Sequence, residues 1–280
     1  EAATITTADQ ILFNNAVTLL AATDLNATDI EFASTLAGAF GVTAAGETIT
    51  FASTITDVTA LELTASTENR IEGSLVNVGS LTTFDIGGQT SIAGSNLEIG
   101  SGLFGDAVVL ETNVTIDGAT SLQFAKTLSS TPAGFDLIVT NAGTVQFDDT
   151  IMNLQDLMVT ATGTTTFSGD VSLSGTLDVD SDTGITINTG NITAGIITFE
   201  DTVTIATTST IEATVGALSV NSTITSSNAS TDDLTLIGDT VELHGSIDLL
   251  QSLDVTGTNG ITLEAATITT ADQILFNNAV

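Results

Sequence analysis

The sequence predicts an all-β protein, a right-handed parallel β-helix (β-solenoid) in which short strands stack coil upon coil. Three observations predict it: a long segment that repeats without change, a short apolar pattern that recurs about every 20 residues, and a composition rich in Thr, Val, Ile and Gly. Such a composition disfavours helices and suits strands. Regular recurrence at this period is typical of solenoids, whose repeats bury their apolar faces against one another.

The longest repeat joins the two ends of the sequence. Residues 1–17 and residues 264–280 both read EAATITTADQILFNNAV, at an offset of 263 residues. A match of this length does not arise by chance, and diverged duplications do not stay identical. We therefore predict that residues 1–263 form one repeat unit of a tandem array. Residues 264–280 are then the start of the next identical repeat, continuous with the first and without a linker.

A shorter pattern lies inside the long one: apolar, any residue, Phe, three residues, apolar. Its Phe-bearing copies, in chain order, are Ile11/Phe13/Val17, Ile30/Phe32/Leu36, Ile49/Phe51/Ile55, Leu122/Phe124/Leu128, Val145/Phe147/Ile151, Thr165/Phe167/Val171 and Ile197/Phe199/Val203. In other copies another apolar residue replaces Phe: Leu97/Ile99/Leu103, Val108/Leu110/Val114, Leu218/Val220/Ile224 and Val241/Leu243/Ile247. Side chains two residues apart share one face of a strand. After Phe, the next inward residue of the pattern comes four residues later and not two, so the chain must bend between two strands.

These copies predict how the repeat is built. We expect roughly 11–13 coils per 263-residue repeat, and an axial advance of roughly 50–65 Å at about 4.8 Å per strand spacing. Eight of the 12 Phe occupy the third position of the pattern and should form an internal column: Phe13, Phe32, Phe51, Phe124, Phe147, Phe167, Phe199 and Phe276. Uneven spacing predicts loops that project from the coils at Thr64–Arg70, Gly100–Ala107, Ser129–Gly134 and Ser226–Asp233.

The charge balance excludes two classes of partner. The chain has 34 Asp and Glu against two basic residues, Arg70 and Lys126, and a formal net charge of −32. Nucleic acids and anionic membranes bind through Lys and Arg, so neither is expected to bind here. We also expect no membrane span in this segment, because no apolar run approaches 18 residues.

Little in the sequence points to catalysis. His244 is the single histidine, follows a copy of the pattern, and is expected at a solvated corner. No nucleophile signature or phosphate-binding glycine loop is present. Pectin-lyase-like β-helices are similar in fold, but they hold anionic sugars with basic residues, and this chain has two such residues and no Trp or Tyr. We therefore predict a protein that is not an enzyme, with no catalytic and no cofactor-binding residues.

The best candidate for a metal site is a run of alternating carboxylates. Asp178, Asp180 and Asp182 precede Gly184, and hard oxygen ligands with this spacing suit Ca²⁺. The run departs from an EF-hand loop, because the glycine comes one place late and Thr189 stands where the loop ends in Glu. The alternative is the outward face of a strand. Calcium is therefore a weak candidate, and no metal site is assigned.

The recurring phrases Ile-Thr-Phe, Leu-Thr-Ala and Gly-Thr-Val resemble the filamentous-haemagglutinin-like and giant tandem-repeat β-solenoid surface proteins of bacteria. The resemblance spans the chain and rests on patterning, so no individual functional residue carries over. It implies a right-handed β-helix exported as a long fibre, with an extracellular or cell-surface location.

Two functions are compatible with these observations. The first is a structural component of an extracellular filament, stalk, sheath or adhesin shaft built from tandem repeats. The alternative is a surface adhesin or binding module that uses acidic faces or projecting loops, with calcium as a candidate ligand. The expected partners are further copies of the repeat, end to end, with neighbouring filaments or a surface as additional candidates. At the seam, strand Ile274–Phe276 should stack on the coil near Val241–Ile247.

Overall fold

The computed structural model of the protein describes residues 3–228, 231–264 and 267–278. These residues form β-strands and turns without any helix, and the strands stack in parallel as a β-solenoid of about 14 coils. The prediction of an all-β solenoid is thereby confirmed. The chain divides into two compact units, Glu1–Gly143 and Thr144–Val280, with seven coils in each.

The first unit has three strand positions per coil. Its strands are β1 (Ala3–Thr6), β2 (Gln10–Phe13), β3 (Val17–Thr18), β4 (Thr23–Asn26), β5 (Asp29–Phe32), β6 (Leu36–Ala37), β7 (Val42–Phe51), β8 (Ile55–Thr56), β9 (Leu61–Ile71), β10 (Leu75–Val78), β11 (Leu81–Thr83), β12 (Gln89–Ile92), β13 (Asn96–Ile99), β14 (Gly102–Phe104), β15 (Ala107–Leu110), β16 (Val114–Asp117), β17 (Ser121–Phe124), β18 (Leu128–Ser130) and β19 (Leu137–Ala142).

The second unit is built in the same way. Its strands are β20 (Thr144–Phe147), β21 (Ile151–Leu154), β22 (Leu157–Ala161), β23 (Thr165–Phe167), β24 (Val171–Leu173), β25 (Thr176–Ser181), β26 (Ile185–Ile187), β27 (Asn191–Ala194), β28 (Ile196–Phe199), β29 (Val203–Ile205), β30 (Ser209–Ala213), β31 (Ala217–Val220), β32 (Ile224–Ser226), β33 (Leu234–Leu243), β34 (Ile247–Leu250), β35 (Leu253–Leu263), β36 (Ile268–Thr270) and β37 (Ile274–Asn277).

Parallel pairing between successive coils places equivalent residues of the pattern above one another. In the first unit β2 pairs with β5 and β5 with the second half of β7, so that Phe13, Phe32 and Phe51 are register partners. In the second unit β22, β25 and β28 pair in the same way through Leu157, Leu177 and Ile197. Within these strands the backbone N–H and C=O groups find partners one coil away, which leaves the side chains to decide which face is inward.

The inward face is the continuous apolar core that the pattern predicts. Phe32, Phe51, Phe124, Phe147, Phe167 and Phe199 are all at most 2% exposed. Stacked ring pairs confirm that the rings pack inside the coils, with centroids 4.6 Å apart for Phe13 and Phe32, 5.0 Å for Phe32 and Phe51, and 5.3 Å for Phe147 and Phe167. The prediction of one column is wrong, because the rings occupy separate strand positions: β2, β5 and β7 carry one stack, β20 and β23 carry another, and Phe199 lies on β28 at the third position. Phe104 also belongs to this core, since it is fully buried and stacks on Phe124 at 4.9 Å.

Two of the four predicted loops are wrong. Thr64–Arg70 lies within β9, which continues around the corner between two strand positions without a turn. Gly100–Ala107 contains β14, whose Phe104 points inward. The two remaining segments do leave the strands, after Ser130 and after Ser226, and part of the second lies outside the described residues.

The strand near the seam stacks as predicted but on a different partner. β37 pairs in parallel with the first part of β35, through Leu253 with Ile274 and Val255 with Phe276. We expected the partner to be near Val241–Ile247. The difference arises because β34 and β35 form a complete additional coil between β33 and the seam.

Candidate functional site

The alternating carboxylates of the sequence lie on the outer face of β25. Asp178 and Asp180 point outward, while Leu177 and Val179, which alternate with them, are fully buried. Register places Asp178 between Met158 on β22 and Thr198 on β28. This face therefore adopts the outward-strand alternative that the sequence left open.

A concavity of about 270 Å³ opens on this face. It is lined by Met158, Val159, Thr160, Asp178, Asp180 and Glu200. The structure thus brings two of the three predicted carboxylates together with Glu200, one coil further on, whereas Asp182 is not part of the lining. Glu200 is the carboxylate of this concavity that was not identified from the sequence. The signal for it was the 20-residue length of the coil, which places residue 200 beside residue 180.

Mutual repulsion and partial desolvation act together on these acids. Burial raises the pKa of Asp178, and the nearby charge of Glu200 adds to the effect. Burial also raises the pKa of Asp180, with further contributions from a hydrogen bond to Asp201 and from the charges of Asp201, Asp182 and Glu200. Both basic residues of the chain precede residue 144, so this unit has no Lys or Arg to neutralise them. The face therefore favours any species that brings positive charge.

The arrangement is nevertheless not a formed metal cage. Within the described ranges, no three or more His, Cys, Asp or Glu side chains are grouped so that they could hold a metal ion. The carboxylates spread along a strand face, where the side chains are set by the pleat and by the coil spacing.

Both basic side chains form ion pairs with neighbouring acids. Arg70 Nη1 and Nη2 donate to the two carboxylate oxygens of Glu111 at 2.7 and 2.6 Å, and Nε donates to Glu72 at 2.7 Å. The pKa of Glu111 is lowered chiefly by this hydrogen bonding with Arg70. Lys126 Nζ lies 3.3 Å from Asp85 Oδ2. These two side chains link coils across the outer surface of the first unit.

His244 lies beside two acids. It follows β33, and its Nδ1 is 3.0 Å from Glu264 Oε2, with Nε2 4.0 Å from Glu242. The side chain is 32% exposed. The corner position predicted from the sequence is therefore correct, and Glu264 is the first residue of the repeated 17-residue segment.

One polar cluster is buried inside the first unit. Asp106 is 1% exposed and accepts hydrogen bonds from Asn69 Nδ2 at 3.1 Å, Thr83 Oγ1 at 2.5 Å and Thr90 Oγ1 at 2.9 Å. Asn69 Oδ1 is a buried oxygen without a hydrogen-bond partner among the described residues. Because the coils enclose this cluster, its hydrogen bonds are internal to the solenoid and do not form a surface site.

The repeated segment forms a coil at each end of the described chain. Ala3–Thr6 and Gln10–Phe13 are the strands of its first copy, and Ile268–Thr270 and Ile274–Asn277 are those of its second. The two copies share one inward phase: Ile11 pairs with Ile30 and Phe13 with Phe32, while Ile274 pairs with Leu253 and Phe276 with Val255. Seven coils lie in each unit, so one 263-residue period holds 13 coils, at the upper limit of the predicted range.

None of the described residues forms a helix long and apolar enough to cross a bilayer. Comparisons of the chain with protein-family models, with curated proteins and with solved structures found no match.

Proposed function

We propose that this chain is a section of a non-catalytic shaft, a structural component of an extracellular filament, stalk or sheath built from tandem copies of the 263-residue repeat. The observation that carries the proposal is that the period contains a whole number of coils. A new repeat therefore begins at the strand position and inward phase at which the previous one began.

The second copy of the segment supports continuity without a linker. β36 stacks on β34 and β37 on β35, so the chain passes from one repeat to the next by making an ordinary coil. Solenoids of this kind are held together by contacts between neighbouring coils, so repeats can be added without a change in the core. A shaft is the simplest product of such addition.

Composition and site geometry support the other parts of the proposal. The geometry of the single histidine pairs it with two glutamates, Glu242 and Glu264, an arrangement that suits a structural ion pair. The resemblance to bacterial surface fibres and the lack of cysteine suit an exported, cell-surface location.

The test is to join repeats and measure length. Chains of two and three repeats, each ending with residues 264–280, should form rods whose length grows by about 62 Å per added repeat, which is 13 coils at about 4.8 Å. Cryo-electron microscopy or atomic force microscopy measures the increment. The matched control omits residues 264–273 at each junction, which breaks the phase and should produce a visible kink or gap. Separate globules in both series would contradict the proposal.

A second candidate function is cation-dependent binding at the acidic concavity. It is favoured by the raised pKa values of Asp178 and Asp180, because clustered carboxylates without a basic neighbour gain most from a bound cation. Calcium titration followed by calorimetry should then show binding that is lost in Asp180→Asn and kept in Asp24→Asn, an exposed acid on another face. Equal heats for both variants would contradict this function.

A further inference from the structure

Four threonines form a column on the outer surface of the second unit. β23, β26, β29 and β32 are successive strands at one position of the coil, and their register makes Thr166, Thr186, Thr204 and Thr225 partners. These side chains are half-buried and point outward, because the residues on either side of each of them are buried. Stacking spaces the four hydroxyl groups at about 4.8 Å along the axis. The threonines are unevenly spaced in the sequence, so only the structure reveals the column.

A second column lies beside the first. Thr164, Thr202 and Thr223 each precede a member of the first column by two residues, and they therefore share its face of the sheet. Gly184 holds the remaining place in this column. The carbonyls of Gly184, Thr202 and Thr223 accept backbone hydrogen bonds from the coil before them at 3.2, 2.8 and 2.9 Å, which keeps the column in register. We call the seven threonines of the two columns the hydroxyl array, and its columns lie about 6.6 Å apart.

The hydroxyl array contains no charge, although the chain carries a formal net charge of −32. The other two strand positions of the same coils do carry acids on their outer surface. Asp178 points outward from β25, and Glu212 points outward from β30. The array is therefore a neutral area on an acidic molecule.

The hydroxyl groups of the first column are free to bind water. Threonines elsewhere on the surface donate to carboxylates, as Thr140 does to Asp117 and Thr258 does to Asp239. The four threonines of the first column have no such partner among the described residues. A hydroxyl donates one hydrogen bond and accepts two, so each of them can hold water at a fixed point of the array.

Size and charge decide which ligand suits this surface. The array covers about 300 Å², which is four coils at about 4.8 Å by five residues at about 3.3 Å. A stable protein partner needs about 800 Å² on each side, so a second copy of the chain is disfavoured. Nucleic acids are held through basic side chains, which the array lacks. An ordered layer of water requires neither a large area nor a charge.

We propose that the hydroxyl array is an ice-binding surface. Its two spacings, about 4.8 and 6.6 Å, are close to repeat distances between water oxygens on a prism face of ice. Each hydroxyl donates and accepts hydrogen bonds, as a water molecule in ice does, so water held by the array continues the crystal lattice. The absence of charge matters because an ion binds its own hydration water strongly and gives it up at a high cost.

The array is an internal part of the solenoid. β20 stacks on β23 at one side of it, and β34 stacks on β32 at the other. Its exposure therefore does not depend on the ends of the chain. The inference goes beyond the proposed shaft and does not rest on it.

Partition of the full chain into slowly growing ice tests the proposal, with freezing-point hysteresis as the second measurement. The native chain should enter the ice and produce hysteresis. Thr204→Glu places a charge at the centre of the array and should lower the fraction of protein in the ice about tenfold or more, since the charge must lose its water at the ice surface. Thr204→Val keeps the side-chain shape without the hydroxyl and should cause a smaller loss.

Thr193→Glu is the matched control, because Thr193 is an outward, half-buried threonine of β27 in the same unit but on another face. This variant should bind ice as the native chain does, and circular dichroism checks that all variants keep their β-structure. Exclusion of the native chain from ice, or equal binding by Thr204→Glu and Thr193→Glu, would overturn the proposal.

Two further outcomes would assign the array to another partner and overturn ice binding as well. One is retention of the native chain on crystalline cellulose, an uncharged polysaccharide, without entry into ice. The other is a native dimer in sedimentation velocity that Thr204→Glu dissociates. None of these results bears on the length increment of joined repeats, so this proposal and the shaft fail separately.

Discussion

At the scale of single residues, an aspartate side chain stabilises the fold in some surroundings and destabilises it in others. The pKa of Asp117 is lowered, chiefly by a hydrogen bond from Thr140 and next by one from Asn141. The pKa of Asp180 is raised, chiefly by burial and then by neighbouring acids. In a chain with 34 acids, the local supply of donors therefore decides which carboxylates stabilise the fold.

These shifts predict opposite pH dependence for two matched variants. Asp117 stabilises the folded state when the pH is above 3.8, the ordinary pKa of an aspartate. That stability is lost as the pH falls through the lower pKa that Asp117 has in the folded state. Asp180 binds its proton more tightly when folded, so its ionisation destabilises the fold as the pH rises from 3.8 through its folded pKa. At pH 7 we therefore expect Asp117→Asn to lower the free energy of unfolding and Asp180→Asn to raise it.

Urea unfolding at pH 7, 5 and 3 measures both effects. For each variant, the difference in free energy of unfolding from the native chain should shrink toward pH 3. Both carboxylates are then largely protonated in the unfolded state. A change of the same sign in both variants at pH 7 would contradict this account of the acidic face.

The sequence predicts outward residues well and their neighbours poorly. Alternation alone placed Asp178 and Asp180 outward, because the pleat fixes the direction of each side chain. Glu200 and Asp106 could not be placed in this way. Their surroundings depend on coil length and on which residues lie one or two coils away, and that information is spread over about 40 residues of chain.

At the scale of the coil, the core is built from columns of equivalent positions, one for each strand of the coil. Phe51 is fully buried and stacks on Phe32 with its ring inclined by 12°. Deleting a buried ring removes contacts on both sides and leaves a cavity that a stacked backbone cannot close.

Phe51→Ala should therefore lower the free energy of unfolding by about 3–5 kcal/mol. Phe40→Ala is the matched control, because Phe40 is 40% exposed, and this variant should lose about 1 kcal/mol or less. Thermal and urea unfolding followed by circular dichroism compare the two. Similar losses would show that the inward column does not carry the stability of the coil.

The coil also shows why corners were harder to predict than strands. β14 was missed because Gly102 stands where other copies have an apolar residue before Phe104. β9 was missed as a single strand because uneven spacing alone indicated a loop at Thr64–Arg70, although this segment contains no Gly or Pro to mark a turn. Here the backbone turns a corner through a register shift and keeps its pairing with β7.

At the scale of the whole chain, the 17-residue repeat is the sequence feature that says most about how the coils are organised. It predicted that the segment restarts a unit, and the structure places both copies in the same inward phase. The partner coil at the seam could not be identified in advance, because the coil formed by β34 and β35 has no Phe to mark it.

The scarcity of basic residues has a consequence for resistance to proteolysis. Proteases of the trypsin type cut after Lys or Arg, so a complete 263-residue repeat offers them two peptide bonds. One follows Arg70, which lies inside the paired strand β9 with its guanidinium held by Glu111. Cleavage requires an extended and unpaired chain, so this bond is protected while the coils stay stacked. A shaft of such repeats would present one accessible site, at the bend around Lys126, in each period.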